Sequence, residues 1–352
     1  MRDGRKKICV VTYSKAYGGT EGGAKIVKAL KILELFGGIG APRKALINLG
    51  IEHKSIDYVE IDEKAVRAYN ALYDKTIQPQ SVVGYNLRPD LLIHGSPCQD
   101  FSRAGHRWGG GSEDKTRSSL LFETLKIIQN MGAWKPRVVL WENVKGVLDR
   151  DMIHAFKDYL AQMEAMGYTN SYEVLNPMDF GIPQKRERIY TVSVLSGPQF
   201  DFSKLKKEPM RPINEFLETD VDDIYTIKIP SMLTKIEDLN MQRKNAKYNR
   251  FLDVIETHCW TISTRQDRCP NAGIVKLDEN LYRYLTEFEV SRLMGFSDED
   301  HAKLLAEYPT RPGKKNATLY KLYGNSIVVD VLMAIYKTLF EMGILNLKEE
   351  RA

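Results

Sequence analysis

Cysteine is scarce in this 352-residue chain, with four residues at Cys9, Cys98, Cys259 and Cys269. They are too few and too scattered for a disulfide framework, and no pair has the close spacing of zinc ligands. A reducing compartment is the simpler expectation, and with it a cytoplasmic location and no metal. No apolar run is long enough to span a bilayer, so no membrane partner is expected. Met1 to Lys7 is basic, but few apolar residues follow before Ser14 and Lys15, so it does not read as a secretory signal. Internal repeats and low-complexity tracts are missing, which excludes solenoids. An excess of one charge is nearly missing too, since 51 basic residues face 46 acidic ones, a net +5. That is compatible with a polyanionic partner without requiring one. The length suffices for one large domain with a smaller second one, or for two ordinary domains.

From Lys31 to about Val194, short apolar runs alternate with amphipathic stretches. Ile32–Phe36, Ile56–Ile61, Leu91–His94, Val138–Trp141, Tyr172–Leu175 and Ile189–Val194 read as strands. Helices are expected from Pro42 to Leu49, Lys64 to Leu72, Leu120 to Asn130 and Met152 to Met166, with Pro42 suited to a first turn. The alternation predicts an α/β fold with a largely parallel sheet. From Gly197 to Asp278 the charge is mixed, prolines are scattered and the period is lost, as in a second, less regular domain. Thr286 and Glu289 form a capping-box pattern that starts a helix, and Val328 to Met342 reads as a last apolar helix. Residues 1–30 form an N-terminal extension without an assigned role, with Ile8–Thr12 as an extra strand and Ala24–Leu30 as a short helix.

Five local patterns carry possible chemistry. Leu33-Glu34-Leu35-Phe36-Gly37-Gly38-Ile39-Gly40 runs a strand into a glycine-rich turn, where a backbone can approach a ligand closely. It lacks the dinucleotide spacing and alone is also an ordinary tight turn. Glu60, at the next strand end, can accept from both hydroxyls of a ribose, or be a plain surface acid. Cys98, in Gly95-Ser96-Pro97-Cys98-Gln99-Asp100-Phe101-Ser102, follows a strand and precedes a polar loop containing Gly105, Gly109, Gly110 and Gly111. An exposed, aimed thiol there is a nucleophile, whereas a free cysteine is usually a small buried hydrophobe. Glu142, in Trp141-Glu142-Asn143-Val144, ends an apolar strand. Burial raises a carboxyl pKa and lets it carry a proton near neutrality, while the bland reading is a helix-capping acid. Arg186 and Arg188, in Gln184-Lys185-Arg186-Glu187-Arg188, share one face of a strand, able to hold an anion or a base edge or to be a solvated strand edge. Tyr323-Gly324-Asn325-Ser326 alone reads as a loop and an N-terminal cap.

Taken in order, these patterns resemble those of the cytosine-5 DNA methyltransferase family, of bacterial or phage type. The matching residues are Phe36-Gly37-Gly38-Ile39-Gly40, Pro97-Cys98-Gln99, Glu142-Asn143-Val144 and Gln184-x-Arg186-x-Arg188. They continue in Arg283-x-Leu285-Thr286-x-x-Glu289-x-x-Arg292-Leu293-x-Gly295-Phe296 and Gly324-Asn325-Ser326. The resemblance spans Lys31 to about Val331, and within it Gly197 to Glu279 matches by position only.

The resemblance implies a Rossmann-like, doubly wound α/β sheet that binds S-adenosyl-L-methionine (AdoMet) and releases S-adenosyl-L-homocysteine. A smaller, irregular target-recognition domain accompanies it. On that basis 31–195 with 322–352 form the catalytic domain, and 196–321 the target-recognition domain and hinge. Cys98 is implied as the thiolate that attacks cytosine C6, Glu142 as the proton donor at N3 and Arg188 as a contact of the pyrimidine. Arg186 joins this catalytic set as a backbone-positioning partner. Phe36, Gly37, Gly38, Ile39, Gly40, Glu60, Ile61, Pro97, Asn325 and Ser326 are the implied cofactor contacts. The family's adenine-contacting aspartate has no counterpart in Val83-Gly84-Tyr85-Asn86, where Asn86 is the nearest substitute.

The implied partner is double-stranded DNA with the target base flipped out. The loop from Ser102 to Arg117 is its closing element, with Arg103, Arg107, Lys115 and Arg117 for phosphates and Gln99 and Ser102 as further DNA contacts. Sequence reading is assigned to Arg243, Lys244, Lys247 and Arg250 in one basic, amide-rich segment, and to Arg265 and Arg268 in another. Solvated polar turns are the bland reading of both. A separately acting restriction endonuclease and a monomeric state complete the expectations. The rivals are a tRNA cytosine-5 methyltransferase, which shares the pocket, and a silent DNA-binding relative, a class that usually loses the cysteine or the glutamate.

Overall fold

Runs of aliphatic residues buried on both faces build the central sheet of the computed structural model, which describes residues 26–83, 89–95, 119–150, 152–237, 252–346 and 348–350. The chain opens with β1 (Ile26–Lys28), β2 (Leu30–Leu35), α1 (Ala41–Asn48), β3 (His53–Val59), α2 (Glu63–Tyr73) and β4 (Leu91–His94). It continues with α3 (Ser119–Asn130), β5 (Val138–Val144), α4 (Ile153–Ala165), β6 (Tyr168–Leu175), β7 (Gln184–Lys185) and β8 (Arg188–Leu195).

Six of these strands form one sheet in the order β3-β2-β4-β5-β8-β6. β2 pairs in parallel with β3 and β4, and β4 in parallel with β5. β8 is antiparallel to both of its neighbours, so the sheet is parallel apart from this one strand. Parallel strands covered on both faces read as continuous apolar runs. Alternate residues divide between the faces: Ile32, Ile93 and Leu140 join the core beneath α1, while Leu33, Leu35, Leu92, Val139 and Trp141 join the core beneath α3 and α4. The chain leaves β2 toward β3 on one side and returns to β4 on the other, which opens a crevice at the carboxyl ends of β2 and β4.

Past β8 the described elements are short. They are α5 (Pro230–Glu237), β9 (Cys259–Trp260), the hairpin β10 (Val275–Asp278) with β11 (Leu281–Arg283), α6 (Glu287–Leu293) and α7 (Asp298–Glu307). Then come α8 (Ala317–Gly324), α9 (Val329–Glu341) and β12 (Lys348–Glu350). Ile227, Ile236, Leu252, Ile274 and Tyr284 form a small apolar cluster of their own, whereas Phe200, Leu205, Ile213 and Phe216 join the main core. α9 packs on α1 and closes that face of the sheet.

Two expectations are corrected. Ala24–Leu30 is not a helix: Ile26–Lys28 is a strand paired antiparallel with Lys348–Glu350, and Leu30 already belongs to β2. Isoleucine and valine favour a pleated strand once a partner is present, and that partner comes from the far end of the chain. Tyr323-Gly324-Asn325-Ser326 does not cap α9. Tyr323 and Gly324 are the last turn of α8, Asn325 is its C-cap, and Val328 is the N-cap of α9. The proposed strand Ile8–Thr12 lies outside the described residues.

The capping box at Thr286 and Glu289 forms as expected, and Ser297 with Asp300 forms a second one at the start of α7. Glu289 has a further task. It is fully buried and accepts from Arg283 Nη1 and Nη2 at 2.8 and 2.7 Å, while Arg283 also donates to the Tyr284 and Glu218 carbonyls. Removing one member of a buried ion pair strands the other charge. Glu289→Ala is therefore expected to cost about 3–5 kcal/mol of folding stability in urea unfolding. A loss below about 1 kcal/mol, the worth of one ordinary hydrogen bond, would rule out that dependence.

Candidate active site

The turn after β2 is shaped by backbone that ordinary side chains resist. Phe36, Gly38 and Gly40 have φ of 54°, 53° and 74°, in the left-handed region. At Gly37 a Cβ would overlap the Tyr58 ring, and at Gly40 it would fall 2.6 Å from the rings of Tyr69 and Tyr73. All three tyrosines fill the space under the turn, and two of them donate to it: Tyr58 Oη to the Gly38 carbonyl at 2.5 Å and Tyr73 Oη to the Gly40 carbonyl at 2.7 Å. Ile39 is buried. Glu60, one residue past β3, faces the turn across the crevice. Its Oε2 accepts from the Gly38 amide at 3.1 Å, and its Oε1 from the amides of Ile61 and Asp62 at 2.8 and 2.9 Å. A carboxylate has about four acceptor positions, so one stays open to a ligand hydroxyl. The Ile61 side chain is exposed beside it.

Glu34 was missed by sequence reasoning. It is fully buried in β2, on the face that carries Ile32, and it lines the crevice. Burial raises its carboxyl pKa to about 7, against the hydrogen bond from Tyr69 and the nearby Arg43 charge, which lower it. Tyr69 Oη donates to Glu34 Oε2 at 2.8 Å, and Arg43 Nη1 donates to Tyr69 Oη at 3.1 Å. Glu34 Oε1 is buried and has no hydrogen-bond partner. A half-satisfied buried carboxyl facing a cavity calls for a donor, above all a cationic one. The available signal is an acid within the aliphatic run Ile32–Leu35.

On the other wall, β5 delivers Glu142 to the crevice. Arg188 Nε lies 3.4 Å from Glu142 Oε1, because Val144 pairs with Arg188 across the β5–β8 ladder. Burial pushes the Glu142 carboxyl above its ordinary value, with Arg188 and then Arg186 pulling it back. Glu142 Oε2 also faces the end of β4, where a Cβ on Gly95 would lie 3.9 Å away. Arg186 turns away from this carboxylate. It is buried and donates from Nη1 to the Ile262 carbonyl at 2.8 Å, and from Nη2 to those of Gly324 and Ser326 at 3.1 and 3.0 Å. The segment that it holds lines the crevice through Asn325 and Ser326, opposite Phe36, Gly37 and Gly38. Lys321, one turn before Asn325, pairs with Asp62 at 2.5 Å and links this wall to the Glu60 loop.

The crevice encloses about 440 Å³ of space, part of it open to solvent. The structure thus brings together Phe36, Gly37, Gly38, Ile39, Glu142, Asn325 and Ser326, adds Glu34, and sets Glu60 and Arg188 at the edges. Cys98, Pro97, Gln99, Ser102, Arg103, Arg107, Lys115, Arg117, Asn86, Arg243, Lys244, Lys247 and Arg250 lie outside the described residues. Arg265 and Arg268 are exposed, and Arg268 pairs with Asp267 at 3.1 Å.

Residues 30–341 match the family described as C-5 cytosine-specific DNA methylase. The chain is 30% identical over 325 residues to the Type II methyltransferase M.DsaV of Dactylococcopsis salina, covering 88% of this chain and 85% of that one. It is 27% identical to the Type II methyltransferase M2.ScrFI of Lactococcus lactis subsp. cremoris, covering 89% and 99%. The fold is shared with the crystal structure of S. pombe Dnmt2 methyltransferase at a TM-score of 0.70 and 23% identity, over 89% and 99% of the two chains. With a parallel sheet, a crevice at its switch point and a sequence match over nearly the whole chain, this protein belongs to the C-5 cytosine-specific DNA methylase family, whose members methylate carbon 5 of cytosine in DNA.

Proposed function

We propose that this DNA cytosine-5 methyltransferase draws its methyl group from AdoMet held in the crevice, and works through a covalent bond between Cys98 and C6 of a cytosine flipped out of duplex DNA. The observation that carries the reading is Glu142: a carboxyl pushed up by burial, facing Arg188, and aimed at Gly95, three residues before Cys98. Region 196–321 serves as the target-recognition part and hinge, and the regions around Cys98 and Arg243 supply further DNA contacts.

The crevice residues fit AdoMet on their own chemistry. The orphaned Glu34 Oε1 suits the ammonium group of its methionine half, the open acceptor position of Glu60 suits its ribose, and the glycine turn leaves room between them. Bound AdoMet supplies an electrophilic methyl group on its sulfonium sulfur.

The chain's own residues make cytosine C5 able to take that methyl group. The Cys98 thiolate adds to C6, and the ring electrons move toward C5 and N3. Glu142, whose carboxyl burial pushes above its ordinary value, donates a proton at N3 and removes the anionic charge as it develops. Arg188 compensates the glutamate once its proton has moved, at 3.4 Å across the strand pair. After methyl transfer, loss of the C5 proton to solvent returns an electron pair to the ring, the bond to C6 breaks to release the Cys98 thiolate, and N3 gives its proton back to Glu142. Arg186 takes no part in these steps and keeps the Gly324–Ser326 wall in place.

Trapping tests the chemistry. A duplex containing 5-fluorocytosine cannot lose its C5 substituent as a proton, so the wild-type protein should accumulate a stable adduct. Cys98→Ala is expected to abolish the adduct while retaining AdoMet affinity. Equal adduct yield in the variant would assign the nucleophile elsewhere, and methyl transfer to tRNA alone would overturn DNA as the substrate.

A second experiment reads the cofactor side. Free Glu34, with its pKa raised to about 7, is protonated below that pH, and a cation at Oε1 favours the ionised form. AdoMet binding therefore releases a proton, and its affinity should rise by up to tenfold per pH unit from about pH 5 to about pH 7 and then level off. Calorimetry in two buffers of different ionisation enthalpy measures the release directly. Glu34→Gln should bind more weakly and without this dependence, and a wild-type affinity independent of pH would exclude the contact.

A further inference from the structure

The segment that turns Gln184 and Arg186 inward turns Lys185 and Glu187 outward, and the mechanism above uses neither. β7 pairs with β9 so that Gln184 lies opposite Cys259 and Lys185 opposite Trp260. Side chains alternate across a strand, so the burial of Gln184 and Cys259 commits Lys185 and Trp260 to the outer face. Trp260 is 42% exposed there, although an indole is normally among the most buried of side chains. The backbone around it is fixed: its amide donates to the Ala272 carbonyl at 2.8 Å, and Thr261 Oγ1 donates to the Lys185 carbonyl at 3.0 Å. Lys185 Nζ stands 4.8 Å from the centre of the indole ring.

This exposed pair is tied to the crevice by short lengths of chain. Lys185 is three residues from Arg188, so their Cα atoms are at most about 11 Å apart. Lys145 is three residues from Glu142 and arrives on the same side, where its Nζ meets Glu187 Oε2 at 3.1 Å. Glu187, the acid beside Lys185, is thereby compensated, and the outer face keeps positive charge next to a flat aromatic ring. Aromatic faces with neighbouring cations are the chemistry that holds nucleic-acid strands: the ring takes a base or sugar, and the cation takes a phosphate.

We propose that Trp260 and Lys185 grip the DNA strand that carries the target cytosine, at the nucleotide next to the flipped one. When the cytosine leaves the helix, its neighbour loses a stacking partner. The Trp260 ring packs against that neighbour, and Lys185 neutralises its phosphate, which offsets part of the cost of unstacking. The inference rests on duplex DNA being the substrate. It assigns two residues to DNA outside both basic segments singled out in the sequence, and it accounts for an indole held in water by a rigid backbone.

The test is equilibrium binding, by fluorescence anisotropy, of a duplex carrying the methylated motif found by bisulfite sequencing of DNA from expressing cells. Trp260→Ala should weaken binding by about 5- to 150-fold, the range set by one base–aromatic stack. Trp260→Phe, which keeps a ring, should recover most of the loss. Lys185→Gln should lower the slope of log affinity against log salt by about one, as for one lost phosphate contact. Unchanged AdoMet affinity and melting temperature would show that the variants fold. Wild-type affinity and salt slope in both Trp260→Ala and Lys185→Gln would overturn the assignment. Self-association of the wild type that Trp260→Ala abolishes, with DNA affinity unchanged, would overturn it in favour of a second copy. Failure of the wild type to bind duplex would instead overturn DNA as the substrate.

Discussion

The guanidinium of Arg186 is the point at which distant parts of the chain are tied together. Its partners, the carbonyls of Ile262, Gly324 and Ser326, lie 76, 138 and 140 residues further on. A cation can be buried only if its donors are met, and here three backbone carbonyls meet the two Nη groups. Gln184 strengthens the junction, donating to the Leu293 carbonyl at 2.8 Å and accepting from the Ile262 amide at 3.2 Å. Gly324 then has to be glycine, since a Cβ there would fall 2.6 Å from the backbone of Ser263. The crevice gains its far wall from residues that come after the whole irregular region, so the chain must return to the central sheet to finish it.

Against that frame of fixed backbone, three glutamates at strand ends are held in different environments, and the environment decides what each can do. Glu60 receives three backbone amides and is held as a fixed acceptor. Glu34 receives the Tyr69 hydroxyl near the Arg43 charge, and burial pushes it up to about 7. Glu142 is raised by burial and restrained by two arginines. The same side chain therefore serves as a fixed acceptor, a receptor for a cation and, in the proposed mechanism, a proton donor. Desolvation and partner count make the difference, and neither can be assigned without the neighbours from other strands.

That dependence on neighbours marks the boundary of what the sequence disclosed. The apolar runs of β2, β4 and β5 and the amphipathic helices α1 to α4 are local patterns, and they were legible to within a few residues. So was the capping box at Thr286, whose two halves are three residues apart. The helix expected at Ala24–Leu30 failed because the strand that pairs with it starts at Lys348. The period of two placed Arg186 and Arg188 on one face, and both do turn inward, but which carbonyls receive Arg186 depends on segments more than 70 residues away. The glycines that follow Glu34 form a local pattern, whereas the role of Glu34 has no local mark beyond its place in an aliphatic run. Its importance shows only when Tyr69, Arg43 and an unpartnered oxygen are seen around it.

The pleat of a single short segment connects the two halves of the proposed activity. Burying Gln184 and Arg186 holds the crevice wall, and the same alternation forces Lys185 and Glu187 outward. Arg188, two residues past Arg186, then reaches the carboxylate of β5. A slip of one residue would expose the guanidinium that ties the wall, bury Lys185 and Glu187, and turn Arg188 from Glu142 all at once. Holding DNA on the outer face and compensating charge in the crevice are, in this arrangement, two consequences of one register. That register is fixed by the parallel pairing of Gln184 with Cys259 and by the carbonyls that Arg186 collects.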